Sequence, residues 1–439
     1  MNLSYLEEGD DLYSRLSSFI PTAGSDLNIK RTVAEILDSV QKGGNKAILE
    51  KTSQFDGASL SAEEMQVKPE QLENALLVLS SLERQALEDA IANVTLFHKQ
   101  SFPKNWKCQN LHGGLVGEQY YPIHRVGIYV PGGQVPLVST VIMTVTLAKV
   151  AGVPEIVVAT PPHADGQVSS HLLAALKLSG VTEVYKIGGA QAIGALAYGS
   201  ETIRPVDKIF GPGNAFVNEA KRQVFGEVGI DLLPGPSEVM VIADHTARPE
   251  CVAAALLAQA EHGSGKEKIY LLFQEKELFK KVVEEIDQQL PDREHESSIR
   301  KVLDTGFFAI FLPEQEGVAK VANFIAPEHL ELQVSRDACD FYLQRITTAG
   351  AFLVGHETPT SVGDFAAGPS HVLPTGRSSR FSSGLRMQDF LRRSSVIHYN
   401  AEACQNATQA IAQFASMENL DGHGFAHQVR VDSAQESAE

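Results

Sequence analysis

Val126-Gly127-Ile128-Tyr129-Val130 is a short apolar run, and Pro131-Gly132-Gly133 follows it directly. Such a run reads as a buried strand, and the proline–glycine turn ends it. A helical run over 139–150 comes next. The unit then recurs: strands at 155–159, 183–187 and 207–210 alternate with helices at 172–178, 191–198 and 215–225. This alternation predicts β-α-β units and a parallel sheet. Three strand exits carry glycine on the way to a helix: Pro131-Gly132-Gly133, Gly188-Gly189-Ala190 and Gly211-Pro212-Gly213-Asn214. In a parallel sheet those turns share one edge, where ligands bind. Glycine lets backbone N–H groups approach a phosphate, and helix N-termini carry partial positive charge, so a dinucleotide or phosphate site is the favoured reading. The alternative is tight α/β turns with no ligand. The dinucleotide fingerprint is not met, because Phe216 stands where its third glycine belongs, which argues against the standard Rossmann mode.

A second α/β series starts at Glu238-Val239-Met240-Val241-Ile242-Ala243. It continues with a helix at 248–262, a strand at 268–273, a helix at 276–289 and a strand at 308–312. Beyond these, a helix near 339–345 and a strand at 351–354 complete the series, and 363–376 reads as a loop. Upstream, 1–24 reads as a helical lead-in ending at Pro21-Thr22-Ala23-Gly24. Residues 26–55 are expected to be helical with a break at Gly43-Gly44, and 71–99 forms one longer helix. Downstream, 377–394 is basic and serine-rich, and a helical tail starts at Ala401. No sequence repeat is evident.

A chain of 439 residues exceeds one ordinary core, so two or more domains are expected. The balance of 43% hydrophobic and 21% charged residues is that of a soluble globular protein. A net charge of -17 argues against nucleic acid or an anionic membrane as partner. Cys108, Cys251, Cys339 and Cys404 are far apart, so they read as reduced thiols and not as a disulfide framework. No basic region followed by an apolar run opens the chain, and no stretch is apolar enough to span a bilayer; a cytoplasmic location is expected.

Ala326-Pro327-Glu328-His329-Leu330 places a carboxylate beside an imidazole after a helical run at 318–324. Pro327 cannot continue that helix, so the pair opens an extended segment, where it can act as acid and base on one substrate. A solvated turn is the plainer reading of these five residues alone. Gln259 and His262, three apart, project from one helix face. Asp364 lies in Gly363-Asp364-Phe365, His371 in Ser370-His371-Val372, and Glu418, His423 and His427 lie in the tail. Surface polarity is the plainer reading of Gln259 and His262 alone, and the tail groups could simply be solvated. Two His, an Asp and a Gln together would make an N/O site suited to zinc.

With these residues in view, the chain resembles the histidinol dehydrogenases. The resemblance rests on seven strings in the family's order. They are Val126 to Gly133, Gly188-Gly189-Ala190-Gln191-Ala192-Ile193, Gly211-Pro212-Gly213-Asn214, Gly235-Pro236-Ser237-Glu238, Gln259-Ala260-Glu261-His262, Ala326 to Leu330, and His371-Val372-Leu373-Pro374-Thr375. It implies an α/β fold of two parallel-sheet α/β/α domains, incomplete-Rossmann and aldehyde-dehydrogenase-like, with helical N- and C-terminal extensions. The domains would be 1–24, an N-terminal helical extension; 25–125 with 238–380, for substrate and zinc; 126–237, for NAD; and 381–439, a dimerisation tail.

The resemblance further implies zinc-dependent, NAD-linked oxidation of L-histidinol to L-histidine through the aldehyde, the last steps of histidine biosynthesis. One zinc per subunit would be held by Gln259, His262, Asp364 and His423. His329 would take the alcohol proton, and Glu328 would activate the water that attacks the aldehyde. Ser237, His329, His371 and Glu418 would contact substrate, as would the zinc ligands, and Tyr129, Gln191 and Asn214 would contact NAD. The family's intertwined homodimer implies that the tail of one subunit, with Glu418 and His423, completes the partner's site. The sequence departs from the family pattern at Leu233-Pro234, Gly263, Ser370 and Asn419, none of them an expected ligand or base. These departures keep open the same chemistry on another small primary alcohol, such as a sulfonated propanediol. A zinc hydrolase is a lower alternative, which would leave the glycine-rich exits without a ligand.

Overall fold

The computed structural model describes residues 3, 5–7, 9, 11–20, 26–132, 137–262 and 265–436. The expected turn Pro21 to Gly24, Gly133 of the first glycine exit, and Gly263 lie outside the described residues. The strands, in chain order, are β1 (Tyr5–Glu7), β2 (Trp106–Gln109), β3 (Leu115–Pro122), β4 (Arg125–Tyr129), β5 (Glu155–Thr160), β6 (Glu183–Lys186) and β7 (Lys208–Phe210). They continue with β8 (Gly229–Ile230), β9 (Glu238–Ala243), β10 (Lys268–Phe273), β11 (Phe307–Phe311), β12 (His329–Gln333), β13 (Ala351–Val354) and β14 (Leu391–His398).

Two parallel sheets form the body, as the alternating pattern predicts. The first has the order β6-β5-β4-β7-β8 and the second β1-β11-β10-β9-β12-β13. Their central strands are apolar on both faces because helices cover both sides. In the first unit, helices Val138–Ala151 and Ser170–Leu178 close one face, joined by Val94 of the helix Ser81–Gln100. Helices Gly189–Tyr198 and Ala215–Val224 close the other. Arg125 ties down the N-terminal edge: its buried guanidinium donates to Glu155 at 2.7 Å and to Glu183 at 2.6 Å. That leaves the opposite, glycine-rich edge open to ligands.

Several elements differ from expectation. Tyr5–Glu7 is a strand, not helix, because its ring packs among Phe273, Phe279 and Phe311 at the edge beside β11. The helix Leu27–Asp56 breaks at Gly44, as expected, but it packs on helices Gly189–Tyr198 and Ala215–Val224. Val33, Ile36, Leu37 and Val40 thus join the core of the first unit, not that of 238–380. The single helix expected at 71–99 is two, Pro69–Ala75 and Ser81–Gln100. Ser80 starts the second, accepting from the Glu83 N–H while Glu83 accepts from the Ser80 N–H. An antiparallel sheet, β14-β3-β2, was not anticipated; it joins the tail to 106–122. The tail itself is a pair of helices, Ala401–Met417 and Asp421–Glu436, packed on each other.

The two parallel sheets are connected in a way that fixes the site. After β8, Asp231 accepts from the Gly211 N–H at 2.7 Å, and the buried Lys221 pairs with Asp231 while donating to the Gly211 carbonyl. The short segment 231–237 then runs from the C-terminal edge of the first sheet to the start of β9. Thr375 accepts from the Gly235 N–H, Glu238 accepts from the Gly376 N–H, and Ser370 donates to Met143 of the first unit. The stretch 370–376 therefore straddles both units beside the N-terminal edge of the second sheet.

Candidate active site

The Glu328-His329 pair stands at that N-terminal edge. The helix Gln315–Ile325 ends with Ala326 in the left-handed region at φ 52°, and Ser379 donates to its carbonyl at 3.0 Å. An alanine there is strained, and Pro327 turns the chain outward so that β12 begins at His329. Both side chains are buried, not solvated: Glu328 is 5% and His329 6% exposed.

Glu328 accepts from the Glu238 N–H at 2.7 Å. The Nδ1 of His329 lies 3.3 Å from the Glu238 carbonyl and 3.6 Å from the Glu328 carboxylate. A carbonyl only accepts, so Nδ1 carries the proton and Nε2 is left for chemistry. Nε2 faces Asp364 at 3.5 Å. Burial alone would push the His329 ring down, but the Glu328 and Asp364 carboxylates outweigh it and the ring is pushed up to about 10. His371 lies 3.8 Å from the same Asp364 oxygen and its Nδ1 donates to the Asp364 carbonyl at 3.1 Å. Burial pushes the His371 ring down. For Asp364, burial is opposed by His329, with the charges of His371 and His262 adding to it, and the carboxyl is held below its usual range.

Asp364 is placed by β12 itself. His329, Glu331 and Gln333 alternate onto one face of the strand. Glu331, 1% exposed, accepts from the Thr360 N–H at 2.6 Å and hydroxyl at 2.7 Å, anchoring the helix Thr360–Phe365 over that face. Leu330 and Leu332 point into the opposite, apolar layer. Glu238 is the other support. Burial and the Glu328 charge push its carboxyl up to about 8, and its Oε2 has no partner among the described residues. The alternation of 329–333 could have identified Glu331, whereas Glu238 opens an apolar string and carried no chemical signal of its own.

Gln259 and His262 stay together at the end of the helix Pro249–Ala260, where the His262 N–H donates to the Gln259 carbonyl at 3.4 Å. Gln259 is 3% exposed and its Nε2 has no hydrogen-bond partner among the described residues. The Gln259 amide oxygen, the His262 imidazole and the Asp364 carboxylate make a ligand set of the N/O kind that zinc takes. The residues fit the ion as part of a set. Among the described residues no three His, Cys, Asp or Glu side chains of one chain converge to hold a metal. His423 accordingly does not join His262 and Asp364 within one chain. It is exposed in the first turn of the helix Asp421–Glu436, and Glu418 is exposed at the end of the helix before it. Ser237, half-buried, immediately precedes β9.

The residues expected to hold NAD lie along the C-terminal edge of the first sheet. Tyr129, 3% exposed, accepts from the Gly189 N–H at 3.1 Å, and Gln191 is fully buried two residues on. Asn214 is exposed and starts the helix Ala215–Val224, accepting from the N–H groups of Phe216 and Val217. The glycines here have a packing reason as well. A Cβ on Gly188 would lie 2.5 Å from Pro161, and one on Gly211, at φ 110°, would lie 2.0 Å from the Tyr129 carbonyl.

Comparison with known proteins gives a consistent result. The family model described as histidinol dehydrogenase matches residues 22–431. A histidinol dehydrogenase of Syntrophotalea carbinolica is 41% identical over 404 residues, covering 92% of this chain and 93% of the relative. One of Geobacillus kaustophilus is 42% identical over 407 residues, covering 92% and 95%. A crystal structure of histidinol dehydrogenase from Elizabethkingia anophelis superposes with a TM-score of 0.93 at 33% identity, covering 98% of each chain.

Proposed function

We propose the activity from one premise: this chain belongs to the histidinol dehydrogenase family. The reaction is the four-electron oxidation of L-histidinol to L-histidine through the aldehyde, linked to NAD and dependent on zinc. The observation that carries it is the buried pair at the start of β12, with His329 Nδ1 fixed on a backbone carbonyl and Nε2 turned towards Asp364.

Asp364 and Glu328 are the two carboxylates that keep the His329 ring protonated, and zinc held by Asp364 would offset one of those charges. From Nε2 the neutral ring takes the proton of the substrate hydroxyl as hydride leaves the carbon. Glu328, held by the Glu238 N–H, takes a proton from the water that adds to the aldehyde. His371, Ser237 and Glu418 position the substrate. Gln259, His262 and Asp364, with His423 of the partner subunit, would hold the zinc. The ion when bound fixes the substrate's nitrogens, and NAD accepts one hydride at each of two stages. NAD would be held along the edge defined by Tyr129, Gln191 and Asn214, with 126–237 serving NAD and 238–380 serving substrate and zinc.

The tail 381–439 makes the homodimer. Ile397, Phe414, Met417 and Phe425 are 72%, 61%, 69% and 70% exposed, a run of large apolar side chains that a second copy would cover. No helix of the described residues is long and apolar enough to cross a membrane.

Purified protein given L-histidinol, zinc and NAD is expected to form two NADH per histidine, and chelation is expected to abolish the activity until zinc is restored. NADH formed only from a sulfonated propanediol would replace the substrate and keep the mechanism. No NADH from any primary alcohol would overturn the dehydrogenase reading.

A further inference from the structure

Asp56 is the last residue of the helix Leu27–Asp56, which Gly57 ends by taking φ 72°. That helix lies against Gly189–Tyr198 and delivers the Asp56 carboxylate to the exits of β5 and β6. Its Oδ1 is 3.0 Å from the point a Cβ on Gly188 would occupy, and Pro161, the residue after β5, touches the same point. Oδ2 accepts from Gln191 Nε2 at 3.4 Å, and the Gly188 N–H also donates to the carboxylate.

The winding of the first sheet explains why an acid here matters. Its order, β6-β5-β4-β7-β8, reverses at β4, and ligands of such sheets lie beyond the strand ends at the reversal. In doubly wound dinucleotide folds the adenosine half extends over the neighbouring strand ends, and an acidic side chain beyond the second strand receives the ribose hydroxyls. The glycine fingerprint of that mode is not met here, and the strand order is the feature shared with it. The second strand of this sheet, β5, runs out into Pro161-Pro162-His163-Ala164-Asp165, and that aspartate is exposed and accepts from the Gln167 N–H. Asp56 supplies an acid from a different element.

Two features leave acceptors here short of donors within the protein. Gln191 is fully buried, yet its Oε1 has no hydrogen-bond partner among the described residues. Asp56 has lost part of its water while no cation pairs with it among the described residues, and burial pushes its carboxyl up to about 6. The half-buried Asp56 carboxylate keeps lone pairs beyond those taken by Gln191 and Gly188, and a vicinal diol presents two donors.

We propose that Asp56 is the ribose-binding carboxylate of this chain: it accepts the hydroxyl protons of the adenosine ribose and, as an anion, repels a 2′-phosphate, selecting NAD over NADP. The inference rests on the NAD-linked reading above and adds the residue that makes the choice between the two dinucleotides.

The test is calorimetric titration of the zinc-loaded, full-length protein with NAD and with NADP at pH 8. The unmodified protein is expected to bind NAD at least about tenfold more tightly than NADP. Asp56→Asn keeps an acceptor for the Gly188 N–H and removes the charge, so the ratio should fall towards one through a gain in NADP affinity. Asp56→Ser should weaken NAD about tenfold. A purely structural role for Asp56 would weaken both dinucleotides alike. The ratio is read in whichever variant keeps the native circular dichroism spectrum, and an unchanged ratio overturns the proposal. Equal binding of NAD and NADP by the unmodified protein also overturns it while leaving the dehydrogenase reading intact. Binding of neither dinucleotide removes both.

Discussion

At the level of single residues, the Glu328-His329 pair divides two kinds of proton transfer, and substitutions should separate them. His329→Ala is expected to lower kcat for alcohol oxidation by about 10²–10⁴-fold, the usual worth of a positioned acid–base group. Glu328→Gln should slow the second stage more than the first. Feeding the aldehyde directly and following NADH by stopped flow checks this. A defect confined to the first hydride transfer would reassign Glu328. The pair was legible in the sequence because a proline forces the break that exposes it. Its burial was not: Ala326 to Leu330 reads as a solvated turn until β9 and β13 pair on either side of β12. The same holds for Glu238 and for the partners of Glu331, though the alternation of 329–333 marks Glu331 itself. Their chemistry comes from being buried beside other charges, and neighbours distant in sequence leave no local trace.

At the level of elements, periodicity identified almost every strand of the two parallel sheets, because strands covered on both faces are short, continuous apolar runs. It missed β2, β3 and β14, whose residues are mostly exposed and carry no apolar alternation to read. It also fused two helices at 71–99, where the Ser80–Glu83 capping box marks the start of the second. That second helix carries a measurable consequence. His98, in its last turn, is 2% exposed, and neither ring nitrogen has a partner among the described residues. Burial pushes its ring down from 6.5 to about 4. The folded state therefore keeps His98 neutral while the unfolded chain binds a proton, and between those two values stability falls as pH falls. The loss should approach about 3 kcal/mol at the acid end of the window. His98→Leu, which fills the site without a titrating group, is expected to flatten this part of the pH dependence of the urea midpoint. An equal slope in the variant would place the acid sensitivity elsewhere.

At the level of the whole molecule, the candidate zinc ligands fall into two groups, and among the described residues no three His, Cys, Asp or Glu side chains converge to unite them. Gln259, His262 and Asp364 belong to the body, and His423 belongs to an exposed helical tail. The sequence showed the four residue types, but only the resemblance to a family joined them, since periodicity says nothing about which copy a tail serves. If the tail acts in the partner's site, the two groups can be broken separately and recombined. A His423→Ala subunit has an intact body and a defective tail; a His262→Ala subunit has the reverse. Each homodimer then contains no complete site. A mixed dimer contains one, formed by the body of the first and the tail of the second, while its other site lacks both ligands. For random exchange in an equal mixture, half of the dimers are mixed, so activity should recover to about one quarter of that of the unmodified enzyme. Exchange is verified by differently tagged subunits purified through both tags, and those doubly purified dimers should reach about one half. Verified mixed dimers without activity would show that each site is built within one chain, and the tail would then have to fold back onto its own body to deliver His423.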